Sequence, residues 1–344
     1  MGGDNGMILL VLSRLGEALH ALLTKAADVF LSPGSVFWAP TLLSALLIAV
    51  GCLAATRIRR GRRVRPAALL RALFPRRILR GASSKADLGL LLFNTFPAGA
   101  LVGWMLVSTN QVSRQATSLL GWALGPSAAI PLRPDVLGIV VTVTLFLAYE
   151  LAYWLDHYLS HKVPFLWEFH KVHHTAQVLT PLTIFRVHPV DSLVFANIIA
   201  LVVGATGGTL QYVFGASAAP FALSGTNVIL LAFFCVTLHL QHSHLWISFT
   251  GALGRILLSP AHHQIHHSAD PLHFNTNLGC CLSVFDWLFG TLHMPAARRE
   301  PLAFGAATRT GASPHSVSGT LITPFTECLA RLPALRRPQA QTSA

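Results

Sequence analysis

Apolar residues run along this chain in blocks of about twenty, with polar residues gathered between the blocks. Residues 36–55 form the first block, long enough to cross the hydrocarbon core of a bilayer as a helix. Ahead of it, residues 7–30 are also apolar, but Arg14, Glu17, Lys25 and Asp28 recur at roughly helical spacing and make a polar stripe. That pattern predicts an amphipathic helix lying at a membrane interface rather than a span or a cleaved signal. Residues 88–107 read as the second span, with Asn94 inside it and a kink at Pro97, whose ring removes a backbone donor. Residues 108–133 are polar and punctuated by Pro and Gly, the pattern of a loop. Residues 136–154 make the third span, and 192–214 and 221–238 make two more, joined as a helical hairpin by the small-residue turn G-A-S-A-A-P. The expected fold is all-α, an integral membrane helical bundle of four to five spans.

Composition agrees with that expectation. Of 344 residues 53% are hydrophobic and 11% charged, and the mean hydropathy is +0.56, too apolar for an ordinary soluble protein. The net charge of +12 is local in origin, because residues 57–85 hold eleven Lys and Arg and no acid. Such a run placed directly after an apolar span reads as a cytoplasmic loop facing anionic headgroups, and not as a nucleic-acid patch. With that loop inside, five spans carry every later histidine cluster to the cytoplasmic surface. The five cysteines form no disulfide-like framework. The organisation expected is an interfacial segment (1–35), membrane spans with the arginine loop (36–133), a histidine-bearing domain (134–297) and a flexible Pro-, Ser- and Thr-rich tail (298–344).

The chemistry lies in the histidines. Fifteen of the 17 fall within 157–188 or 239–293. His157 and His161 are four apart, so on a helix they leave one face, as two ligands of one ion must. His170, His173 and His174 form H-x-x-H-H, and His263, His266 and His267 repeat that spacing. Imidazole binds zinc, copper, iron and nickel in its neutral form. A catalytic zinc takes about three protein ligands, so this many imidazoles implies two ions. There is no H-E-x-x-H, which argues against a zinc protease of that kind.

At this point the chain resembles the fatty acid hydroxylase and sterol desaturase superfamily of membrane di-iron oxygenases. The residues that carry the resemblance are D-H-Y-L-S-H (156–161), W-E-F-H-K-V-H-H (167–174), F-R-V-H-P-V-D (185–191), L-Q-H-S-H-L (240–245), S-P-A-H-H-Q-I-H-H-S (259–268), H-F-N-T-N-L-G (273–279) and D-W-L-F-G-T-L (286–292), which span about 140 residues. The resemblance implies a helical membrane domain capped by two histidine-bound iron ions, using O2 and electrons from an external partner to hydroxylate or desaturate a C–H bond of a lipid. Carried over position by position, the implied ligands are His157, His161, His170, His173, His174, His242, His263, His266 and His267. His239 and His244 are further candidates; His244 stands where many relatives have Asn. Glu150, Asp156, Asp191, Asp270 and Asp286 are expected to hold imidazoles in the right tautomer, with helix capping an equal alternative for Asp270 and Asp286. His188 and His273 belong to matched motifs in which packing and ligation are both open, and Asn275, Asn277 and Gly279 read as a turn closing the site.

The chain has no haem signature, Rossmann-type glycine motif or ferredoxin cysteine set, so electrons are expected from a separate partner. Two rival readings remain: a membrane zinc hydrolase using the same imidazoles, and a non-enzymatic metal-binding protein. Transport ligands belong near the bilayer midplane, whereas these lie at span ends.

Overall fold

The structure is a computed structural model that describes residues 3–309 and 313–331. Helix α1 (Gly3–Leu31) carries the expected polar stripe, and Arg14 and Glu17 pair across it at 3.5 Å. Helix α2 (Ala39–Arg59) ends in arginines at the negative pole of its dipole. Two short helices follow, α3 (Pro66–Leu73) and α4 (Arg76–Leu79). Helix α5 (Ala82–Phe93) runs into a π-helical turn, Asn94–Ala98, that contains Pro97. The chain continues through α6 (Gly99–Val102) into α7 (Thr109–Leu124) with an overall bend of 67°.

Helix α7 corrects the expectation of a loop over 108–133. Its polar residues, which read as loop, are used against helix α10 (Pro189–Phe214): Thr117 Oγ1 donates to the Gly208 carbonyl at 2.9 Å, and Ser113 reaches Gln211 at 3.4 Å. Gly204 and Gly208 make this close approach feasible, since a Cβ on Gly208 would meet the Ser113 carbonyl oxygen at 2.3 Å.

Prolines open the helices that matter most, at a position where the missing N–H has no partner to lose. Helix α8 (Pro134–Lys162), α9 (Pro164–His174) and α10 (Pro189–Phe214) all begin this way. Val163, forced toward extended geometry by Pro164, is the corner between α8 and α9. A two-strand hairpin, β1 (Ala222–Leu223) and β2 (Thr226–Asn227), then leads into α11 (Val228–Phe233), a second π-helical turn (Phe234–Leu238) and α12 (His239–Gln241).

The last expected span is therefore shortened. Residues 221–227 are not helical because Thr142 of α8 captures them, its hydroxyl accepting from the Phe221 N–H and its carbonyl from Asn227 Nδ2, both at 2.8 Å. The apolar helix that remains, Val228–Gln241, measures roughly 21 Å at about 1.5 Å per residue, short of a hydrocarbon core of about 30 Å. Among the described residues three helices (α2, α8 and α10) are long and apolar enough to cross a membrane, or four if the bent α5–α7 pair counts as one span.

The cap is built from α9, α13 (Gly251–Ile256), α14 (Pro260–His266), α15 (Val284–Phe289) and their loops. The tail expected to be flexible from residue 298 contains α16 (Val317–Arg331), docked on α9. Glu327, fully buried, takes the Lys171 ammonium, which Glu168 also binds at 2.5 Å. Arg331 Nε donates to Glu168 at 2.6 Å. The stretch reads as tail because its few charges are spent on partners distant in sequence. Residues 332–344 lie outside the described residues.

One fully buried ion pair ties α5 to the loop before α10. Arg186 Nε donates to Asp87 at 2.6 Å, and its other nitrogens reach the Ser83 carbonyl, Thr175 Oγ1 and the Pro314 carbonyl. Asp87→Ala strands that guanidinium and should lower stability by roughly 3–5 kcal/mol. Asp87→Leu combined with Arg186→Met should lose less. Thermal unfolding of the detergent-solubilised proteins measures both.

Candidate metal centre

Helix α8 delivers His157 and His161 from one face, and α9 folds back at Val163 to lay H-x-x-H-H beside them. Helix α14 supplies the second H-x-x-H-H. Its start is fixed by a reciprocal cap: Ser259 Oγ accepts from the His262 N–H at 3.3 Å, and His262 Nδ1 accepts from the Ser259 N–H at 3.1 Å. His262 is thus spent on the helix start, leaving His263, His266 and His267 to face inward.

The nine imidazoles gather into two adjoining groups. His157, His161, His170, His174 and His266 form one; His173, His242, His263 and His267 form the other; within each, one nitrogen per ring lies within 4.8 Å of the others'. The groups touch where the rings of His174 and His267 stack, 4.7 Å between centroids.

In the first group, all five Nε2 atoms are buried without a hydrogen-bond partner, and the opposite nitrogens explain why three of them face inward. His157 Nδ1 donates to the Leu278 carbonyl at 2.8 Å, His266 Nδ1 to the Thr276 carbonyl at 2.9 Å, and His170 Nδ1 to Asp191 at 3.2 Å. Each bond puts the proton on Nδ1 and leaves the Nε2 lone pair free. In the second group the Nε2 atoms crowd together, His173 to His242 at 3.1 Å, His242 to His263 at 2.9 Å and His263 to His267 at 3.2 Å. Four converging ring nitrogens, with neither a thiolate nor a carboxylate among them, form a donor set suited to a borderline transition metal. Burial, reinforced by neighbouring imidazoles, pushes His242 and His266 down to about 3 and holds His173, His174, His263 and His267 well below the ordinary histidine value. The rings are neutral at physiological pH, the form that ligates.

The loop that fixes two of these tautomers is itself clamped. Asn275 and Asn277 both adopt positive φ (60° and 55°), which turns the carbonyls between and beyond them onto the histidines. Asn277 Nδ2 donates to the carbonyls of His262 and His293. Asp286 accepts from the N–H groups of Leu278 and Gly279 at 2.8 and 2.9 Å, and Glu150 from those of Cys281 and Leu282 at 3.0 and 2.8 Å. Gly279 is required, since a Cβ there would meet the Leu282 carbonyl oxygen at 2.2 Å.

Other expected site residues fall elsewhere. His239 Nε2 lies 3.2 Å from Thr41 Oγ1, and His244 Nε2 donates to the Ala72 carbonyl at 2.6 Å; neither joins a group. His188 caps α10, accepting from the Val190 N–H and donating to the Leu321 carbonyl. Asp270 is exposed and caps a single turn through the Leu272 N–H, the capping alternative. His273 rests edge-on against His293, 4.9 Å between centroids. Asp156 is buried with Oδ1 unpartnered. Sequence reasoning missed the carbonyls of Thr276 and Leu278, which no side-chain pattern announces, and the supporting role of Arg186, although F-R-V-H-P-V-D contains it.

Two cavities flank the centre. One of about 250 Å³ reaches His157, His170, His173 and His242 between apolar walls that include Tyr149, Tyr153, Phe195 and Phe234. Another of about 610 Å³ opens on His161, His174, His266 and His267 beside Trp167 and Lys171.

Residues 142–291 match the fatty acid hydroxylase family model. Over 160 residues the chain is 30% identical to the ornithine lipid hydroxylase OlsE of Rhizobium tropici, covering 46% of this chain and 42% of that one. It is 26% identical over 149 residues to an alkylglycerol monooxygenase of Danio rerio (42% and 29%) and 27% over 186 residues to a cholesterol 25-hydroxylase-like protein of Danio rerio (51% and 65%). The match spans less than two thirds of each relative's length. No solved structure matches.

The depressed histidines set the acid response of the metal-free protein. Below about pH 6.5 the unfolded chain binds protons that the folded one refuses, so stability should fall as pH drops from about 6.5 toward 3, by about 1.4 kcal/mol per pH unit for each such imidazole. Denaturant titrations of chelator-treated protein at pH 7.5, 6 and 5 measure the slope; a flat profile would contradict the buried neutral cluster.

Proposed function

Since the chain belongs, through residues 142–291, to the fatty acid hydroxylase family, we propose that it is a membrane lipid hydroxylase in which the nine gathered imidazoles hold two iron ions. The observation that carries this reading is the pair of adjoining, buried, all-imidazole groups set against an apolar cavity. The relatives' names favour hydroxylation over desaturation.

His157, His161, His170, His174 and His266 would hold one ion and His173, His242, His263 and His267 the other. Bound iron would supply activation of O2, with electrons from an external partner, toward an unactivated C–H bond. The protein's own part is position and exclusion. The Thr276 and Leu278 carbonyls and Asp191 keep the imidazole lone pairs aimed inward. Tyr149, Tyr153, Phe195 and Phe234 line the route of a hydrocarbon chain to His157 and His173 with largely apolar surface. The larger cavity beside Lys171, on the other face, is the approach for the electron partner.

The arginine run supports a cytoplasmic position for the centre. It leads straight into α3, whose Ala72 carbonyl accepts from His244. Basic loop and histidine cap therefore share one end of the bundle, and such loops stay inside.

Cells expressing the wild type under 18O2 should yield a lipid carrying one added 18O, and His173→Ala with His266→Ala should cut that product at least 100-fold. Purified wild type should carry about two irons per chain, as the two imidazole groups require. Loss of two hydrogens without label would mean desaturation. Turnover without oxygen in a zinc-loaded protein would assign the site to a hydrolase.

A further inference from the structure

Apart from the histidine centre, a cavity of about 290 Å³ lies between α2 and the α3–α4 segment. Leu42, Ala45, Ala49, Leu73, Ile78 and Leu240 make its walls apolar. For scale, an apolar cavity of about 150 Å³ takes up benzene, so this one accommodates a run of alkyl chain. His239 closes it toward the centre, its ring stacked on Phe37 with 5.6 Å between centroids and its Nε2 held by Thr41.

The α3–α4 segment that lines one side of this cavity is strongly basic. Arg71, Arg76, Arg77 and Arg80 alternate in sequence with the lining residues Leu73, Ile78 and Leu79, and all four are exposed. Among the described residues, none of the eleven cations in 57–85 is in an ion pair. Leu70, Phe74 and Leu79 expose about half of their surface beside them. An apolar slot, exposed arginines outside any ion pair on the segment that lines it, and exposed apolar side chains among them match one amphiphile. Free phosphate has no use for the slot, a neutral lipid none for the arginines, and a second copy of this basic surface would be repelled.

We propose that this cavity binds an anionic phospholipid, with one acyl chain between α2 and α3–α4 and the phosphate held by Arg76, Arg77 and Arg80. The planar guanidinium fork matches phosphate oxygens in pairs, and the low-dielectric boundary strengthens that contact. The site is separate from the metal centre and does not depend on the reaction proposed for it.

The test is lipid retention by full-length protein purified in mild detergent, exchanged with equimolar phosphatidylglycerol and phosphatidylcholine and read by native mass spectrometry. Wild type should keep one phosphatidylglycerol per chain in preference to phosphatidylcholine. Ala49→Phe fills the slot, and Arg76→Glu with Arg77→Glu reverses its edge without touching a buried residue; each should lower retention at least tenfold. Arg298→Glu with Arg299→Glu should change nothing. Equal retention of the two lipids by wild type, or undiminished phosphatidylglycerol in the Arg76/Arg77 variant, would overturn the proposal. Undiminished retention by a folded Ala49→Phe protein would also overturn it, reducing the arginines to a surface patch.

Discussion

Nine imidazoles can share one buried space only while they stay neutral and while their ring protons are directed away from one another. Burial favours the first condition, because a charged ring there would lose its hydration, and among the nine rings only His170 has a carboxylate against it. The second is met by a few acceptors placed behind the rings: the carbonyls of Thr276 and Leu278, and Asp191. The surrounding construction serves those acceptors. Two left-handed asparagines shape the loop, Asp286 and Glu150 hold its N–H groups, and Gly279 lets it pass close to Leu282. Glu150 and Asp286 thus act on backbone, one step removed from the imidazoles they were expected to touch, whereas Asp191 touches His170 directly.

Eight of the nine histidines were legible because helical spacing is a strong constraint, and His242 only through the L-Q-H-S-H-L motif of the family resemblance. Two residues four apart leave one face, and a repeated H-x-x-H-H can present two faces inward when each helix is pinned at its start by proline. The supporting loop was legible only as a turn, since a backbone acceptor leaves no mark in composition. His239 and His244 show the limit of spacing from the other side. His239 stands one turn before His242 and His244 lies in the same matched motif, yet each ring finds a neighbour from α2 or α3, over 170 residues away in sequence, and joins neither group.

The apolar blocks were legible as helices but their lengths were not. Hydropathy reads 221–238 as one span, whereas hydrogen bonds to a single threonine of α8 divert its first third into a hairpin. Conversely, 109–124 was too polar to read as a membrane helix because its hydroxyls serve α10 instead of water. In both places long-range hydrogen bonding overrides the local pattern, which is why the histidine motifs proved easier to read than the bundle that presents them.

The pairing of Lys171 with Glu327 has a consequence for the order of assembly. Lys171 sits between His170 and His173, while its second carboxylate partner comes 156 residues later. At a synthesis rate of about 5–20 residues per second, the histidine-bearing α9 exists for roughly eight to thirty seconds with that charge answered only by Glu168 from its own helix. During this interval α9 lacks the brace that α16 later supplies, and the face bearing Lys171 stays accessible. The docking of α16 is therefore a late event relative to the making of α9, and the face of the histidine chamber that bears Lys171 is completed only by a segment made long after the histidines beside it.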